Sequence, residues 1–143
     1  MRRVLTAMLM LLIIASSITA GYAAVVDDGE SLKPKYVGAA DHSESIIKGM
    51  GLKVNYSGTI IPKNATVLDK VVMTFKVRNY VTDGIANQET VTAYYDETKN
   101  QFKGQGSCSV PTIGTYYLEV TYKCYKNGSL VDTIVEDTDP VSV

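Results

Sequence analysis

Residues 114–135 read GTYYLEVTYKCYKNGSLVDTIV, and this stretch determines the fold class. Asn127-Gly128 suits a two-residue type I′ turn, because both central positions of that turn need a positive φ, which Asn and Gly tolerate best. On each side of the turn, apolar and polar residues alternate with the period of a strand that buries one face. The stretch therefore predicts an antiparallel β-hairpin.

The register of this hairpin follows from its turn. Folding about Asn127-Gly128 sets Lys123 opposite Asp132, a favourable opposite-charge pair. Extending the same ladder sets Glu119 against Glu136, which is repulsive, so we expect a bulge or the end of pairing there. The face of the first strand that we predict to be buried comprises Leu118, Val120, Tyr122 and Cys124.

Turn-forming residues recur every ten to fifteen residues from about residue 44 onward, and no segment has the period of a helix. Asp83-Gly84 predicts either a second hairpin, with Arg78 opposite Glu89, or a longer loop. The apolar face of the preceding strand comprises Val71, Met73, Phe75 and Val77. Further strands are predicted at 46–50, 52–61, 88–95 and 101–110. The sequence therefore predicts an all-β fold, a single antiparallel β-sandwich of about seven strands.

The N-terminal segment has the order of a secretory signal peptide. Arg2-Arg3 precede an uncharged run that ends at Ile14 and gives way to small residues as far as Ala23. The run is shorter than the roughly 20 residues that span a bilayer, so we expect it to be cleaved, near Ala23. The predicted organisation is a signal peptide at 1–23, a polar leader or linker at 24–43 and the β-sandwich domain at 44–143.

Net charge narrows the classes of partner. Residues 1–23 carry two of the fourteen basic residues and none of the fifteen acidic ones, so the remainder has a formal charge of −3. A mildly acidic chain without a basic stripe is not typical of proteins that bind nucleic acid or anionic lipid. We therefore expect a secreted protein with no cofactor and no stable membrane insertion. Its partner would be a protein or a glycan outside the cell.

Residues 111–120, PTIGTYYLEV, resemble the corner between the fifth and sixth strands of immunoglobulin-like and fibronectin-like sandwiches. In those domains a Gly precedes a Tyr that packs at the base of the sandwich and bonds to upstream backbone through its hydroxyl. The resemblance implies that role for Tyr116. Leu118 stands where immunoglobulin domains have a Cys, and the chain has no Trp, so the resemblance implies the sandwich and not the immunoglobulin family itself.

The chain as a whole is similar to small, largely uncharacterised secreted proteins of Gram-positive bacteria. The shared features are the signal peptide, a short leader that contains Pro34-Lys35-Tyr36, and one sandwich that ends in a Gly-Thr-Tyr strand. The resemblance implies an extracellular location and a fold. It implies no activity.

No arrangement of residues predicts catalysis. His42 is the only histidine, and it lies in a polar stretch where the sequence predicts no group to hold it as a base, so we expect a solvated loop residue. One His and two widely separated Cys do not fit any zinc spacing. The acidic run 136–139, with Asp83 or Asp132, could supply calcium ligands but lacks a calcium-loop pattern, and a solvated strand end is favoured. We predict no catalytic, cofactor-binding or metal-binding residues.

Two interpretations remain open for Cys108 and Cys124. Two cysteines in a secreted chain suggest one disulfide. If the strands on either side of 111–114 run antiparallel to each other, Cys108 lies near Tyr116, and Cys124 lies about 26 Å further along. A disulfide needs Cα atoms within about 7 Å. We favour two buried thiols, with the disulfide as the alternative.

Four tyrosines that the alternation turns outward form a candidate binding face: Tyr80, Tyr95, Tyr117 and Tyr125. A tyrosine offers a flat apolar ring with a polar tip, which suits sugars and protein partners alike. Ordinary cross-strand pairing on a solvated sheet face is the competing explanation. The sequence thus supports a secreted, non-catalytic interaction module at or outside the cell surface. The alternative is a carbohydrate- or cell-wall-binding domain that uses these tyrosines.

Overall fold

The computed structural model describes residues 36–143, which form eight antiparallel strands and no helix. The predicted all-β, antiparallel class is confirmed, whereas the signal peptide and most of the leader lie outside the described residues. The strands are β1 (Ala39–Lys48), β2 (Lys53–Pro62), β3 (Lys70–Asn79), β4 (Ile85–Asp96), β5 (Gln101–Ser109), β6 (Thr115–Lys126), β7 (Ser129–Asp137) and β8 (Val141–Ser142).

The strands lie side by side in the order β1-β2-β5-β4-β3-β6-β7, and β8 pairs with the start of β6. The sheet curls into a half-barrel, which brings β1 into contact with β6, β7 and β8. The β4–β5 hairpin contributes only two residue pairs, Tyr95 with Phe102 and Asp96 with Gln101. The curl encloses one apolar interior, which the inward faces of β3 and β6 dominate.

The β6–β7 hairpin turns where predicted but pairs differently. Asn127 and Gly128 have φ values of 50° and 78°, which confirms the predicted turn. A bulge then shifts the register by one residue, so Asp132 pairs with Cys124. The predicted pairing of Asp132 with Lys123 is therefore wrong. The extra residue in β7 turns Asp132 to the inner face, since a one-residue slip exchanges the two faces of a strand.

The inward Asp132 anchors the chain where it enters β1. Its two carboxylate oxygens accept the backbone N–H groups of Val37, at 2.9 Å, and Gly38, at 2.5 Å. Gly38 is required by close approach, because a Cβ there would lie 2.6 Å from a methyl carbon of Leu68. With this anchor β1 begins at Ala39, five residues before the predicted start of the domain.

The β3–β4 connection is the longer of the two predicted forms. The carbonyl of Asn79 accepts the N–H of Asp83, and pairing resumes with Arg78 opposite Ile85 rather than Glu89. Glu89 instead lies opposite Phe75, on the inner side of β4. There its carboxylate accepts a 2.6 Å hydrogen bond from the Tyr56 hydroxyl.

The predicted inward faces are confirmed. On β3 the four apolar residues predicted to share a face are completely buried, and so are those of β6: Val71, Met73, Phe75, Val77, Leu118, Val120, Tyr122 and Cys124. Tyr116 is 1% exposed, and its hydroxyl donates a 3.0 Å hydrogen bond to the carbonyl of Thr112, four residues upstream. The burial and the upstream backbone bond predicted for Tyr116 are therefore present.

Candidate functional site

The structure brings two of the four predicted tyrosines together. The rings of Tyr80 and Tyr117 lie 6.4 Å apart between centroids, with their planes at 89°. Tyr125 lies on the same outer face of β6 but eight residues further along, about 26 Å away. Tyr95 is half-buried with its ring against Phe102, and its neighbour Tyr94 is the outward residue, 73% exposed. The four tyrosines do not form one continuous face.

A cavity of about 340 Å³ opens beside the Tyr80–Tyr117 pair. We call it the tyrosine pocket, and it is lined by Tyr80, Asp83, Tyr117, Asp137 and Thr138. The lining comes from the β3–β4 loop, the start of β6 and the end of β7. The Tyr117 hydroxyl donates a hydrogen bond to the Asp83 carboxylate, which joins two of these walls.

Backbone hydrogen bonds hold both walls of the tyrosine pocket. On the loop side, the Asn79 side-chain oxygen accepts the N–H groups of Val81 and Thr82, each at 3.0 Å, and the N–H of Tyr80 bonds to the carbonyl of Thr115 at 2.9 Å. On the β7 side, the Leu118 N–H donates to the Thr138 hydroxyl oxygen at 3.0 Å, and the Thr138 N–H donates back to the Leu118 carbonyl at 2.9 Å. The segments that form the walls of the cavity are therefore held in place by hydrogen bonds.

Two cations lie beside the pocket on the outer face of β3, and both are paired with carboxylates. Lys76 pairs with Glu119 across β3 and β6. Arg78 lies 2.8 Å from Glu119, between Nε and Oε2, at ion-pair distance but without hydrogen-bond alignment. It also approaches Asp83, with 3.6 Å between Nη1 and Oδ2. Three carboxylates thus face two cations, and within residues 36–143 Asp137 is the carboxylate left without a paired cation.

The titration behaviour of these groups follows from the contacts. The hydrogen bond from Lys76, together with Arg78, lowers the pKa of Glu119. Partial removal from water and the nearby Glu119 charge raise the pKa of Asp137. The bond to Asp83 raises the pKa of Tyr117 to about 12, so its phenol stays protonated at neutral pH. With its carboxylates ionised, the pocket carries negative charge and presents the aromatic rings of Tyr80 and Tyr117.

The far end of the same outer face has a different composition. Lys70 lies opposite both Tyr94 and Tyr125 in the register of β4, β3 and β6. Its ammonium nitrogen stands 5.1 Å from the centroid of the Tyr125 ring, within the range of a cation–π contact. Here the chain itself supplies the cation that covers a tyrosine.

A second cavity, of about 450 Å³, lies over the outer face of β1, β2 and β5. Its lining is mainly small and neutral, with Ser45, Asn55, Ser57 and Gln105 among the residues, and Lys103 supplies one charge. The aromatic residue in its lining, Tyr56, is 3% exposed and so has no ring face to offer. Although this cavity is larger, the tyrosine pocket has the chemistry of a binding site, because aromatic faces and convergent polar groups meet there.

His42 occupies a position that the sequence did not indicate. It lies within β1, half-buried, with Nδ1 3.5 Å from Glu44 and Nε2 3.5 Å from Glu136. Its ring also packs near those of Tyr36 and Tyr122, at 5.9 and 6.2 Å between centroids. The expectation of a solvated loop histidine is therefore wrong. His42 links β1 to the end of β7 across the curl of the sheet.

Cys108 and Cys124 are free thiols on different strand pairs. Cys108 lies opposite Val54 of β2 and is half-buried, whereas Cys124 lies opposite Val71 of β3 and is fully buried. The assumption that the strands on either side of 111–114 pair with each other is wrong, because β5 pairs with β2 and β4. Burial raises the pKa of both thiols, that of Cys124 to about 12.

The acidic run at the end of β7 is divided between sites. Glu136 contacts His42 and Asp137 lines the tyrosine pocket, while Asp132, earlier on β7, is turned inward. Within residues 36–143, no group of three His, Cys, Asp or Glu side chains is arranged to hold a metal ion. The same part of the chain contains no helix long and apolar enough to cross a membrane.

Comparison with known proteins does not indicate a function, so a functional proposal has to be based on the geometry of the structure. No protein-family model matches the chain, and no curated protein matches it significantly.

Proposed function

We propose that this chain is a secreted, non-catalytic binding module with an immunoglobulin-like sandwich, and that it binds through the tyrosine pocket. The order of the strands supports the sandwich. The two residue pairs between β4 and β5 divide the sheet into a group β1-β2-β5 and a group β4-β3-β6-β7. With β4 named C′ because it pairs mainly with β3 (strand C), these are A-B-E and C′-C-F-G. Immunoglobulin-like domains divide in a similar way, with A, B and E in one sheet and C, F and G in the other. The Tyr116 corner supports the same proposal.

Secretion is supported by the sequence of residues 1–23, which has the basic, apolar and small-residue order of a signal peptide. A domain that works outside the cell without a catalytic centre must act through contacts at its surface. The Tyr80–Tyr117 pair is the observation that carries the proposal. Two rings with exposed area, fixed by backbone bonds beside an open cavity, suit recognition because little ordering is needed on binding.

The second candidate function is carbohydrate or cell-wall binding. The tyrosine pocket favours it because sugar rings stack on flat aromatic faces, while their hydroxyls donate to fixed acceptors. Asp83 and Asp137 supply carboxylate acceptors within the same cavity. A protein partner remains the broader form of the proposal. The two candidates differ in the ligand that they predict for the pocket, a glycan in one case and a protein in the other.

A pull-down separates these candidates. The purified protein is incubated with insoluble glycans and with cell-wall preparations, and the bound fraction is compared with that of the double variant Tyr80→Ala/Tyr117→Ala. Tyr94→Ala is the matched control, because it removes an exposed tyrosine at the far end of the same face. We expect retention on at least one glycan, lost in the double variant and kept in the control.

Other outcomes decide against parts of the proposal. Retention on surface proteins alone, with the same sensitivity to the double variant, would replace the glycan candidate by a protein partner. Retention unchanged by the double variant would contradict the pocket as the binding site. A screen against glycan, ester and peptide substrates completes the test. Turnover that a point substitution abolishes would overturn the non-catalytic assignment.

A further inference from the structure

We propose that the tyrosine pocket selects glycans that carry protonated amino groups, such as oligomers of glucosamine. The proposal rests on the binding function proposed above and adds the chemical class of the ligand. It is carried by the perpendicular tyrosine pair, the open cavity and the excess of carboxylate at the same place.

The aromatic pair provides the first part of the argument. The face of a tyrosine ring carries negative partial charge, so it attracts a cation within about 6 Å. Because the rings of Tyr80 and Tyr117 are perpendicular and touch each other, a group in the open angle beside the pair can contact both rings. Tyr80 is 61% exposed, which leaves its ring accessible to a ligand.

The charges provide the second part. Lys76 and Arg78 are engaged by Glu119 and Asp83, while Asp137 shares the cavity and has no paired cation in the part of the chain that the structure describes. Neutral sugars would leave that carboxylate uncompensated and partly removed from water. An ammonium group would neutralise it, since opposite charges attract strongly where the surroundings are partly apolar.

The molecule contains an internal example of the same chemistry. At the far end of the outer face, the Lys70 ammonium lies 5.1 Å from the Tyr125 ring centroid. That end has an aromatic ring and a cation from the chain. The tyrosine pocket has two rings and the Asp137 carboxylate, and no lysine or arginine from the described residues lines it. A cationic ligand would place a positive charge next to the tyrosine rings of the pocket, as Lys70 does next to the Tyr125 ring at the other end.

Shape and polar groups favour an amino sugar over a linear amine. The cavity, about 340 Å³, lies at the small end of the range for ligand pockets, and it opens beside the exposed Tyr80 ring. A pyranose ring can stack on Tyr80 while its amine reaches toward Asp137. The Thr138 hydroxyl accepts one backbone N–H and keeps its own proton to donate to a sugar oxygen.

The test compares two ligands that differ only at the nitrogen. Isothermal titration calorimetry at mildly acidic pH measures binding of a glucosamine tetrasaccharide, whose amines are protonated, and of its N-acetylated counterpart, which is neutral. We expect the amine form to bind about tenfold more tightly, the size of a single cation–π and ion-pair contact. Added salt should reduce this preference, because salt screens exposed charges.

Variants assign the preference to residues. Asp137→Asn should remove most of the tenfold difference, because it should weaken binding of the amine form much more than binding of the acetylated form. Glu97→Gln removes one exposed carboxylate from the β4–β5 turn, far from the pocket, and should change neither affinity. Folding of each variant is checked by its thermal melt, so that a loss of binding is not mistaken for a loss of structure.

The outcomes separate this proposal from the one on which it rests. Equal affinity for the two sugars, lost in Tyr80→Ala, would overturn amine selectivity and leave the binding function intact. Binding of neither sugar, together with no glycan retention in the pull-down, would count against both. Displacement of the amino sugar by oligolysine at equal amine concentration would overturn the assignment to a glycan. It would indicate instead a site for basic peptides.

Discussion

The two ends of the outer face formed by β3, β4 and β6 carry similar residues in different arrangements. At one end, Lys70 covers the Tyr125 ring, and the tyrosine is satisfied within the chain. At the other, Tyr80 and Tyr117 meet beside Asp137, and the local cations are engaged elsewhere. Exposed tyrosines alone therefore do not mark a site. What distinguishes the tyrosine pocket is that, among the described residues, no cation covers its rings and none pairs with Asp137.

The interiors beneath the two ends differ as well. Under the tyrosine pocket the buried group is Tyr116, whose ring fills the corner and whose hydroxyl bonds to nearby backbone. Toward the Lys70 end it is Asp132, which binds backbone from a segment more than ninety residues away in sequence. One end is supported by apolar packing and a local bond, the other by a buried carboxylate. Substitutions that remove each support test this difference.

The largest effect is expected from Tyr116→Ala. The free energy of unfolding should fall by about 3–5 kcal/mol, as is usual when a buried aromatic side chain is removed. Tyr116→Phe should cost about 0.5–1.5 kcal/mol, because only the bond to Thr112 is lost. Urea melts measure both. Tyr117→Ala is the matched control and should cost much less, so equal losses at the two positions would contradict their inward and outward assignment.

Asp132→Ala should give the next largest effect. The N–H groups of Val37 and Gly38 lose their acceptor, and leaving a buried donor unpaired costs about 1–3 kcal/mol. Hydrogen exchange at the Gly38 amide should accelerate, whereas amides in the middle of β3 should remain protected. Thr133→Ala, on the exposed side of the same strand, is the control. A loss of stability without faster exchange at Gly38 would show that Asp132 does not act by anchoring β1.

The smallest effect, and one of opposite sign, is expected from Asp137→Asn. The folded-state pKa of Asp137 is raised, so its favourable contribution is complete below the ordinary Asp pKa of about 3.9 and is lost as pH rises through the folded value. The substitution should therefore raise Tm slightly at neutral pH, and the gain should shrink in acid.

Glu119→Gln provides the comparison for this prediction. The pKa of Glu119 is lowered, so its contribution is present above the ordinary Glu value of about 4.3 and is lost as pH falls through the folded value. The substitution should lower Tm at neutral pH. If both substitutions move Tm in the same direction across a pH series, the charge imbalance assigned to the pocket is not present.

Those parts of the fold that depend on neighbouring residues could be predicted from the sequence. Asn127-Gly128 sets its own turn through backbone preference, and the alternation on β3 and β6 identifies their buried faces. A bulge or the end of pairing is expected near Glu119 and Glu136, but the bulge lies beside the turn and pairing continues to Glu119 opposite Asp137. The position of the bulge could not be predicted, because its benefit lies in a contact between Asp132 and Gly38. The early start of β1 has the same origin, since without that anchor Ala39 and the polar residues after it show no strand pattern.

The candidate site was predicted in part for similar reasons. The outward direction of Tyr117 follows from the strict alternation of β6, and its contact with Tyr80 depends on a loop whose shape the sequence left open. On β4 the predicted alternation of inward and outward side chains is wrong by one residue, because Tyr94 rather than Tyr95 faces outward. Glu89 faces inward on β4, so this strand has no continuous apolar face from which its inward and outward residues could be told apart.

The inward direction of Glu89 also bears on self-association. From Ile85 to Tyr94, β4 is paired on one side only among the described residues, and such a free edge is a template for strands of other molecules. Glu89 and its partner Tyr56 place a carboxylate and a phenol just inside this edge. A strand added there would close off the water that reaches them, and an inward charge is one way in which proteins discourage such pairing. The interruption in the apolar face of β4 should thus disfavour the addition of a strand at this edge.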